Sequence, residues 1–278
     1  MKKRKLKFKP LSAIGNLIVY VYALLLVIPL GFALITAFKT EAERIVNPIG
    51  LPESFKLDNF LIAWQEGNLL TAAKNSIIIN VGAIIILMLN IILVSYCLNC
   101  IRDTKIGIFL YLAILAVTFV PQVGHVTGLM LRRSLGLYNN LFGEVLLGGL
   151  TISTGVFLVS GFLRTIPRDI EEAAKIDGAN DFQVCMHVVV PVIKPVLVSV
   201  LILNFTSKWN AVLGPMLVLR DEKLFTIPMA LLLNFTTETS VRYPVLFAGV
   251  IMTAIPLIIV YCKCQKYFVS AVAGSVKG

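Results

Sequence analysis

One group of polar residues interrupts a chain that is otherwise strongly apolar. It falls in the stretch NFTSKWN and combines amide, hydroxyl, ammonium and indole groups, carried by Asn204, Ser207, Lys208, Trp209 and Asn210. Amides and hydroxyls can exchange hydrogen bonds with a polyhydroxylated ligand, and an indole offers such a ligand an apolar face. Polar residues inside a membrane are costly and often mark a solute path. The stretch therefore predicts residues that contact a polar solute.

Two interpretations of this group stay open. If Lys208 faces the path, its charge favours an anionic ligand such as an acidic sugar. If it does not, its apolar stem can lie along the helix while the ammonium reaches the outer headgroups. The Asn and Ser side chains have a similar alternative, because such groups commonly form hydrogen bonds between membrane helices.

A second polar segment, EEAAKIDGAN, lies between two apolar runs at residues 171–180. Pro167 suits the first position of a helix, and Glu171 and Glu172 suit its first turn, where the helix dipole favours anions. Gly178 can adopt the left-handed conformation that ends a helix. The pattern predicts a helix of two to three turns and then a second helical stretch. A break is expected at Pro191 and Pro195, because proline interrupts a helix.

The elements that must hold these residues are membrane spans. The chain has 278 residues, of which 58% are hydrophobic and only 14% are charged. Five windows of about 20 residues or more hold no charged residue, and a sixth holds only Lys208, which is the length needed to cross a bilayer. The prediction is an all-α polytopic protein whose single domain, 1–278, has six spans, at about 13–37, 75–98, 107–130, 143–163, 195–217 and 243–262.

The basic residues predict the orientation of these spans. Six of the 25 Lys and Arg residues precede Pro10, which by the positive-inside rule places the N-terminus in the cytoplasm. Six spans then return the C-terminus to the cytoplasm, with the loop 164–194 on the same side. Arg132 and Arg133 fall in a short outer loop, where an amphipathic interfacial helix is expected. The basic residues that give the net charge of +10 are therefore expected beside anionic lipid headgroups, and not in contact with nucleic acid.

The inner loop carries a specific pattern of residues. Glu172-Ala173-Ala174 is followed after three residues by Gly178, and after nine more by Val188-x-Val190-Pro191. This pattern resembles the cytoplasmic EAA loop of ABC importer permeases, with Val in place of the Ile and Leu of the family signature. The chain also resembles the carbohydrate-uptake members, of the maltose type, at the motifs FKT (38–40), DNF (58–60), KNS (74–76), LGLYN (135–139), WN (209–210), FTIP (225–228) and the tail after Gln265.

The resemblance implies a mechanism in which the loop is a coupling helix that docks on an ATPase subunit. The residues expected to make this contact are Glu171, Glu172, Ala173, Ala174, Asp177, Gly178 and Ala179. The implied partners are two ATPase subunits, a second permease subunit, an extracytoplasmic solute-binding protein and a carbohydrate. The implied location is the bacterial cell membrane.

No enzyme activity is expected of this chain alone. No G-x-x-x-x-G-K-[ST] phosphate loop occurs in it, so ATP and magnesium are expected on the partner ATPases, and no metal site is predicted. Two alternatives remain open: an ABC permease for a solute other than a sugar, and an ion-coupled transporter. The second would normally need carboxylates inside the membrane or unwound ion sites, and no Asp or Glu is expected deep in a span.

Overall fold

The computed structural model describes residues 10–119, 125–151, 153–237 and 240–275. The N-terminal basic run and the last three residues of the tail lie outside the described residues. A π-helix spans Val184–Val189 and a 3-10 helix spans Glu222–Leu224. The α-helices are α1 (Pro10–Ala37), α2 (Glu41–Val46), α3 (Asp58–Glu66), α4 (Leu69–Cys100), α5 (Lys105–Phe119), α6 (His125–Ser134), α7 (Leu141–Gly149), α8 (Ser153–Leu163), α9 (Asp169–Ile176), α10 (Asp181–Gln183), α11 (Val190–Trp209), α12 (Leu213–Val218), α13 (Ile227–Phe235) and α14 (Tyr243–Ser275).

Six apolar helical segments lie among the described residues, and five of them are long enough to cross a membrane, which confirms the predicted fold class. Five are long helical segments, and the sixth is the shorter apolar helix at residues 105–118. The long ones lie at Gly15–Ala37, Leu69–Cys100, Leu141–Leu163, Asp181–Trp209 and Tyr243–Gln265. In all but Leu141–Leu163, which is made of α7 and α8, the backbone polar groups can bond within one continuous helical run, as hydrocarbon requires.

The chain divides into two compact units, of which the first comprises residues 1–67 and 231–253. In this unit the segment after α1 is held by polar side chains. Lys39 is fully buried and donates through Nζ to the Asn47 and Pro48 carbonyl oxygens at 2.6 and 3.3 Å. Asn59 Nδ2 donates to the Ala37 and Lys39 carbonyl oxygens, each at 2.8 Å. The FKT and DNF motifs therefore belong to one structural feature.

The second unit comprises residues 68–230 and 254–278. Its main core packs α4 against α8, the π-helix and α11 around Leu87, Ile91, Val156 and Val200. Near the start of α4, Asn75 Nδ2 donates to the Lys223 and Phe225 carbonyl oxygens at 2.8 and 3.0 Å. The Ser76 hydroxyl accepts from the Ile227 N–H at 2.9 Å. The KNS and FTIP motifs are thus also in contact.

The expected break at Pro191 and Pro195 is wrong. Helix continues through α10, the π-helix and α11, and Pro191 falls in the first turn of α11 while Pro195 lies inside it. A proline disturbs a helix because it lacks an N–H and crowds the carbonyl of residue i−4. The wider turn of the π-helix lies directly before Pro191, where it changes that spacing. The fifth span ends at Trp209 rather than at the expected Leu217.

Arg132 and Arg133 have partners that explain their place in a short loop. They lie at the end of α6, so the expected helix is present. Arg132 Nη2 lies 3.1 Å from Oε1 of the buried Glu144. The Arg133 guanidinium lies 4.9 Å from the centre of the Tyr138 ring. The pair is therefore held by an ion pair and a cation–π contact.

Candidate coupling loop and pathway residues

The helix predicted in the polar segment is α9, which has eight residues. Its first turn carries Asp169, Glu171 and Glu172, as the helix dipole favours. Its end is a Schellman motif, since the Ala179 N–H donates to the Ala174 carbonyl and the Gly178 N–H to the Lys175 carbonyl, both at 3.0 Å. Gly178 has a φ of 88°, which a residue with a Cβ adopts only with strain.

The next helix starts two residues later with a capping box. Asn180 Oδ1 accepts from the Gln183 N–H, and Gln183 Oε1 accepts from the Asn180 N–H, both at 2.9 Å. Lys175 Nζ lies 2.7 Å from Asp181 Oδ1 across the corner. The hydrogen bond to Asp181, followed by its charge, raises the pKa of Lys175. This contribution to stability is present below the unfolded pKa of lysine and is lost only as the pH rises through the raised pKa, so the corner is intact at neutral pH.

One face of α9 is turned toward the core of its unit. Ala174 and Ala179 pack against the cluster that contains Tyr96, Leu98 and Cys185. Glu171 is half-buried, and its Oε1 accepts from Asn99 Nδ2 at 2.8 Å. Three of the seven predicted contact residues therefore hold α9 on the helical bundle and do not face outward.

Within the part of the chain that the structure describes, the other face of α9 is exposed. Glu172, Ala173, Asp177 and Gly178 are exposed on it. Two large apolar residues that the sequence reasoning missed are also exposed, namely Ile176 at 86% and Phe182 at 64%. We call the six residues together the docking face. The three-residue spacing of Ala173 and Ile176 along a polar helix was the signal that could have pointed to it.

The predicted pathway residues mostly bond within their own helix. Asn204 Nδ2 donates to the Val200 carbonyl at 2.9 Å, and Asn210 Nδ2 donates to the Thr206 carbonyl at 3.0 Å. Trp209 is only 4% exposed, and its ring stacks on Phe205 with centroids 5.6 Å apart. Ser207 is exposed. The indole therefore offers no open face to a solute in this structure.

Lys208 lies where the fourth span is broken. The span consists of α7 and α8, and the carbonyls at the end of α7 lack partners within that helix. Lys208 Nζ donates to the Gly148 carbonyl at 2.7 Å, and Asn90 Nδ2 lies 3.5 Å from the Gly149 carbonyl. A cation at a helix C-terminus is also favoured by the dipole. Lys208 thus supplies a hydrogen bond that the broken helix needs inside the membrane.

Six apolar spans and a short polar helix held on the core of one unit define a polytopic membrane transport component. The chain belongs to the family of binding-protein-dependent transport system inner membrane components, whose model matches residues 104–272. These proteins are the permease subunits of ABC importers, as the EAA loop predicted. The ion-coupled alternative is not supported by this family.

Curated relatives match nearly the whole chain. The diacetylchitobiose uptake system permease protein NgcG of Streptomyces coelicolor is 27% identical over 95% of this chain and 87% of its own length. The probable ABC transporter permease protein YurM of Bacillus subtilis is 31% identical over 93% of this chain and 86% of its own length. The arabinooligosaccharides transport system permease protein AraQ of Halalkalibacterium halodurans is 29% identical over 92% of this chain and 93% of its own length.

A solved structure has the same fold. It is the crystal structure of a bacterial ABC transporter involved in the import of the acidic polysaccharide alginate. The matching chain superposes with a TM-score of 0.81 over 96% of this chain and all of that chain, at 23% identity. This likeness supports the six-span permease bundle.

Proposed function

We propose that this chain is a permease subunit of an ABC importer for a carbohydrate, and that the docking face binds a separate ATPase subunit. The observation that carries the proposal is the docking face itself. It presents Ala173, Ile176 and Phe182 to solvent, although the rest of α9 is held on the core of its unit. An exposed apolar patch with an acidic rim is typical of a protein contact.

The docking face suits a partner that moves. Ala173 and Ile176 lie on α9, and Phe182 lies on α10. The Schellman motif that ends α9 and the capping box that starts α10 fix the corner between them, which is one end of the short helix α9. Such a helix can receive a displacement and pass it on without unfolding. Two ATPase subunits that hydrolyse ATP with magnesium would supply the displacement, and this chain would contribute half of the membrane path beside a second permease subunit.

The carbohydrate assignment rests on relatives and on motifs. Several relatives carry the names of oligosaccharide systems, and the motifs FKT, DNF, KNS and FTIP resemble the carbohydrate-uptake members. A binding protein outside the membrane would deliver the solute. Both termini, the loop 164–194 and the docking face would lie in the cytoplasm of a bacterial cell.

Purification of the intact complex from the native host tests the proposal. A tag on this chain is expected to recover ATPase subunits and a second permease, and the binding protein encoded with them is expected to bind a carbohydrate. Replacing Ile176→Asp should remove the ATPase subunits, because a carboxylate in an apolar contact is costly. Ile49→Asp is a matched control, since Ile49 is also exposed, at 82%, on a different unit.

The expected result is ATPase retention in the unmodified and Ile49→Asp complexes and its loss with Ile176→Asp. Equal retention in all three complexes would place the ATPase contact elsewhere and remove the proposal. Binding of a non-carbohydrate solute by the partner binding protein would leave the ABC permease assignment standing and contradict the carbohydrate.

A further inference from the structure

Resting on the proposed function, we propose that Asn99 and Glu171 are positioning residues that join the coupling helix to α4. Through this join, α4 carries the displacement of α9 to the segment 223–227 at its far end. The chain itself, the packing of Ala174 and Ala179 on the core cluster and the Lys175–Asp181 ion pair already link α9 to the helices that follow it. The hydrogen bond between Asn99 and Glu171 opens a second mechanical route that the sequence pattern does not reveal.

The first contact in this route is small and buried. Asn99 is 5% exposed, and its Nδ2 donates to Glu171 Oε1 at 2.8 Å. Its Oδ1 is approached by Arg102 Nη1 at 3.4 Å. A second link is the ion pair between Arg168 Nη2 and Asp103 Oδ2 at 2.6 Å. The end of α4 and the turn that follows it are therefore attached to the start of α9 by these two polar links.

The two links differ in strength. The Arg168–Asp103 pair is largely exposed, with side-chain exposures of 38% and 72%, and such pairs contribute little. The Asn99 amide is buried and bonds to a carboxylate, and removing that partner leaves a buried donor unsatisfied, which is the more costly change. Asn99–Glu171 is accordingly the link on which the route depends.

The N-terminal end of α4 is also held by side-chain hydrogen bonds. Asn75 binds the Lys223 and Phe225 carbonyls, and Ser76 binds the Ile227 N–H. Between Asn75 and Asn99, α4 is one uninterrupted helix, so its length there is about 36 Å at 1.5 Å per residue. Its middle packs through Leu87 and Ile91, both fully buried. A helix fixed at both ends and packed in its middle transmits displacement along its axis.

The test uses the whole complex in lipid nanodiscs, with its native cysteines replaced and one cysteine introduced by Lys223→Cys. Lys223 is exposed, and its backbone carbonyl keeps its contact with Asn75. A maleimide reports how accessible this position is at rest, and with ATP, magnesium and vanadate. In the otherwise unmodified complex we expect the labelling rate to change on nucleotide trapping.

Three changes on α9 separate positioning from folding. Glu171→Leu should reduce the nucleotide-dependent change about tenfold, which corresponds to about 1.4 kcal/mol of coupling, while resting labelling and ATPase retention stay the same. Glu171→Gln keeps an acceptor for Asn99 and should preserve the change. Asp169→Leu is the matched control, because it also removes a carboxylate from the first turn of α9 but not the bond to Asn99.

Two results would overturn the proposal. One is an unaltered nucleotide-dependent change with Glu171→Leu in a complex that retains its ATPase. The other is the absence of any such change in the otherwise unmodified complex. The double variant Asn99→Leu with Glu171→Leu should lose no more than either single variant, because the two residues act as a pair. Absence of ATPase from the unmodified complex would instead contradict the proposed function, before any cysteine is labelled.

Discussion

At the scale of single residues, neighbouring positions on α9 have opposite tasks. Ala173 is exposed on the docking face, whereas Ala174 packs on the core together with Ala179. A large side chain at position 174 would therefore disturb the packing of α9, and a large side chain at position 173 would obstruct a partner. Because alanine is small, it lets α9 approach the core at position 174, and at position 173 it would let a partner approach α9.

Gly178→Ala is expected to destabilise the complex. The φ of 88° at Gly178 lies in the left-handed region, where a Cβ costs about 1–2 kcal/mol, or roughly 2–6 °C in the midpoint of thermal unfolding for a chain of this size. Gly161→Ala is the control, because a Cβ at Gly161 meets no atom within 4 Å. Thermal unfolding of the purified complex measures both, and equal midpoints would show that the corner is not strained by alanine.

Lys208→Met should lower stability, because the Gly148 carbonyl would lose its donor inside the membrane. The expected loss is about 1–2 kcal/mol, and Lys208→Arg should restore most of it because it keeps both charge and donor. Unfolding in detergent provides the measurement. If Lys208 serves acidic solutes instead, Lys208→Met would leave stability unchanged and lower uptake of acidic glycans more than of neutral ones.

At this scale, local sequence rules predicted the short helix better than they predicted the directions of its side chains. The acids at the start of α9 and the glycine at its end follow from local rules, so the helix itself was predictable. The partner of Lys208 is Gly148, 60 positions away, and the partner of Glu171 is Asn99, 72 positions away. Contacts this distant depend on packing that no local pattern encodes.

At the scale of elements, the contact between α4 and α8 depends on the absence of a side chain. A Cβ on Gly155 would overlap the end of Ile91 and lie 3.3 Å from Val200 Cγ1. Ile91 and Val200 are themselves buried. The two helices and α11 can therefore approach one another only where residue 155 is small.

Gly155→Leu is expected to separate these helices and to cost at least about 1–3 kcal/mol, as overpacking of a core does. The amount of complex that survives detergent extraction should fall. Gly161→Leu makes the same change on the same helix, where a Cβ would meet nothing within 4 Å, and extraction should be close to normal. A similar loss in both variants would mean that α8 rejects leucine for a reason other than contact with α4.

The spans themselves were predictable because hydrocarbon imposes a length and an apolar composition on each. Their internal irregularities were not. Prolines at 191 and 195 predicted a break, but the helix continues through a π-helix. In the fourth span the helix is interrupted where no break was predicted. Its apolar run predicted one helix, and the structure has two, α7 and α8. Hydropathy therefore predicts which segments lie in the membrane, but it does not predict where the helix within a segment is interrupted or widened.

At the scale of the whole molecule, the orientation of the chain is the main open prediction. In membranes that hold this chain without native cysteines and without ATPase subunits, which would cover Phe182, an impermeant maleimide should label Phe55→Cys from outside the cell and Phe182→Cys only from inside. The two phenylalanines are similarly exposed, at 72% and 64%. Right-side-out and inverted membrane vesicles provide the two directions, and the reverse pattern would invert the proposed topology and separate the docking face from any cytoplasmic ATPase.

The π-helix at Val184–Val189 also affects the direction in which the loop 164–194 faces. A π-helical segment is equivalent to an α-helix that has accepted one extra residue, and each residue of an α-helix turns the chain by about 100°. The wider π turn takes up this extra residue, so the docking face keeps about the direction that a regular helix with one residue fewer would give it. An extra residue elsewhere in the same helix, without such a wide turn, would instead rotate the docking face by about 100° around the helix axis.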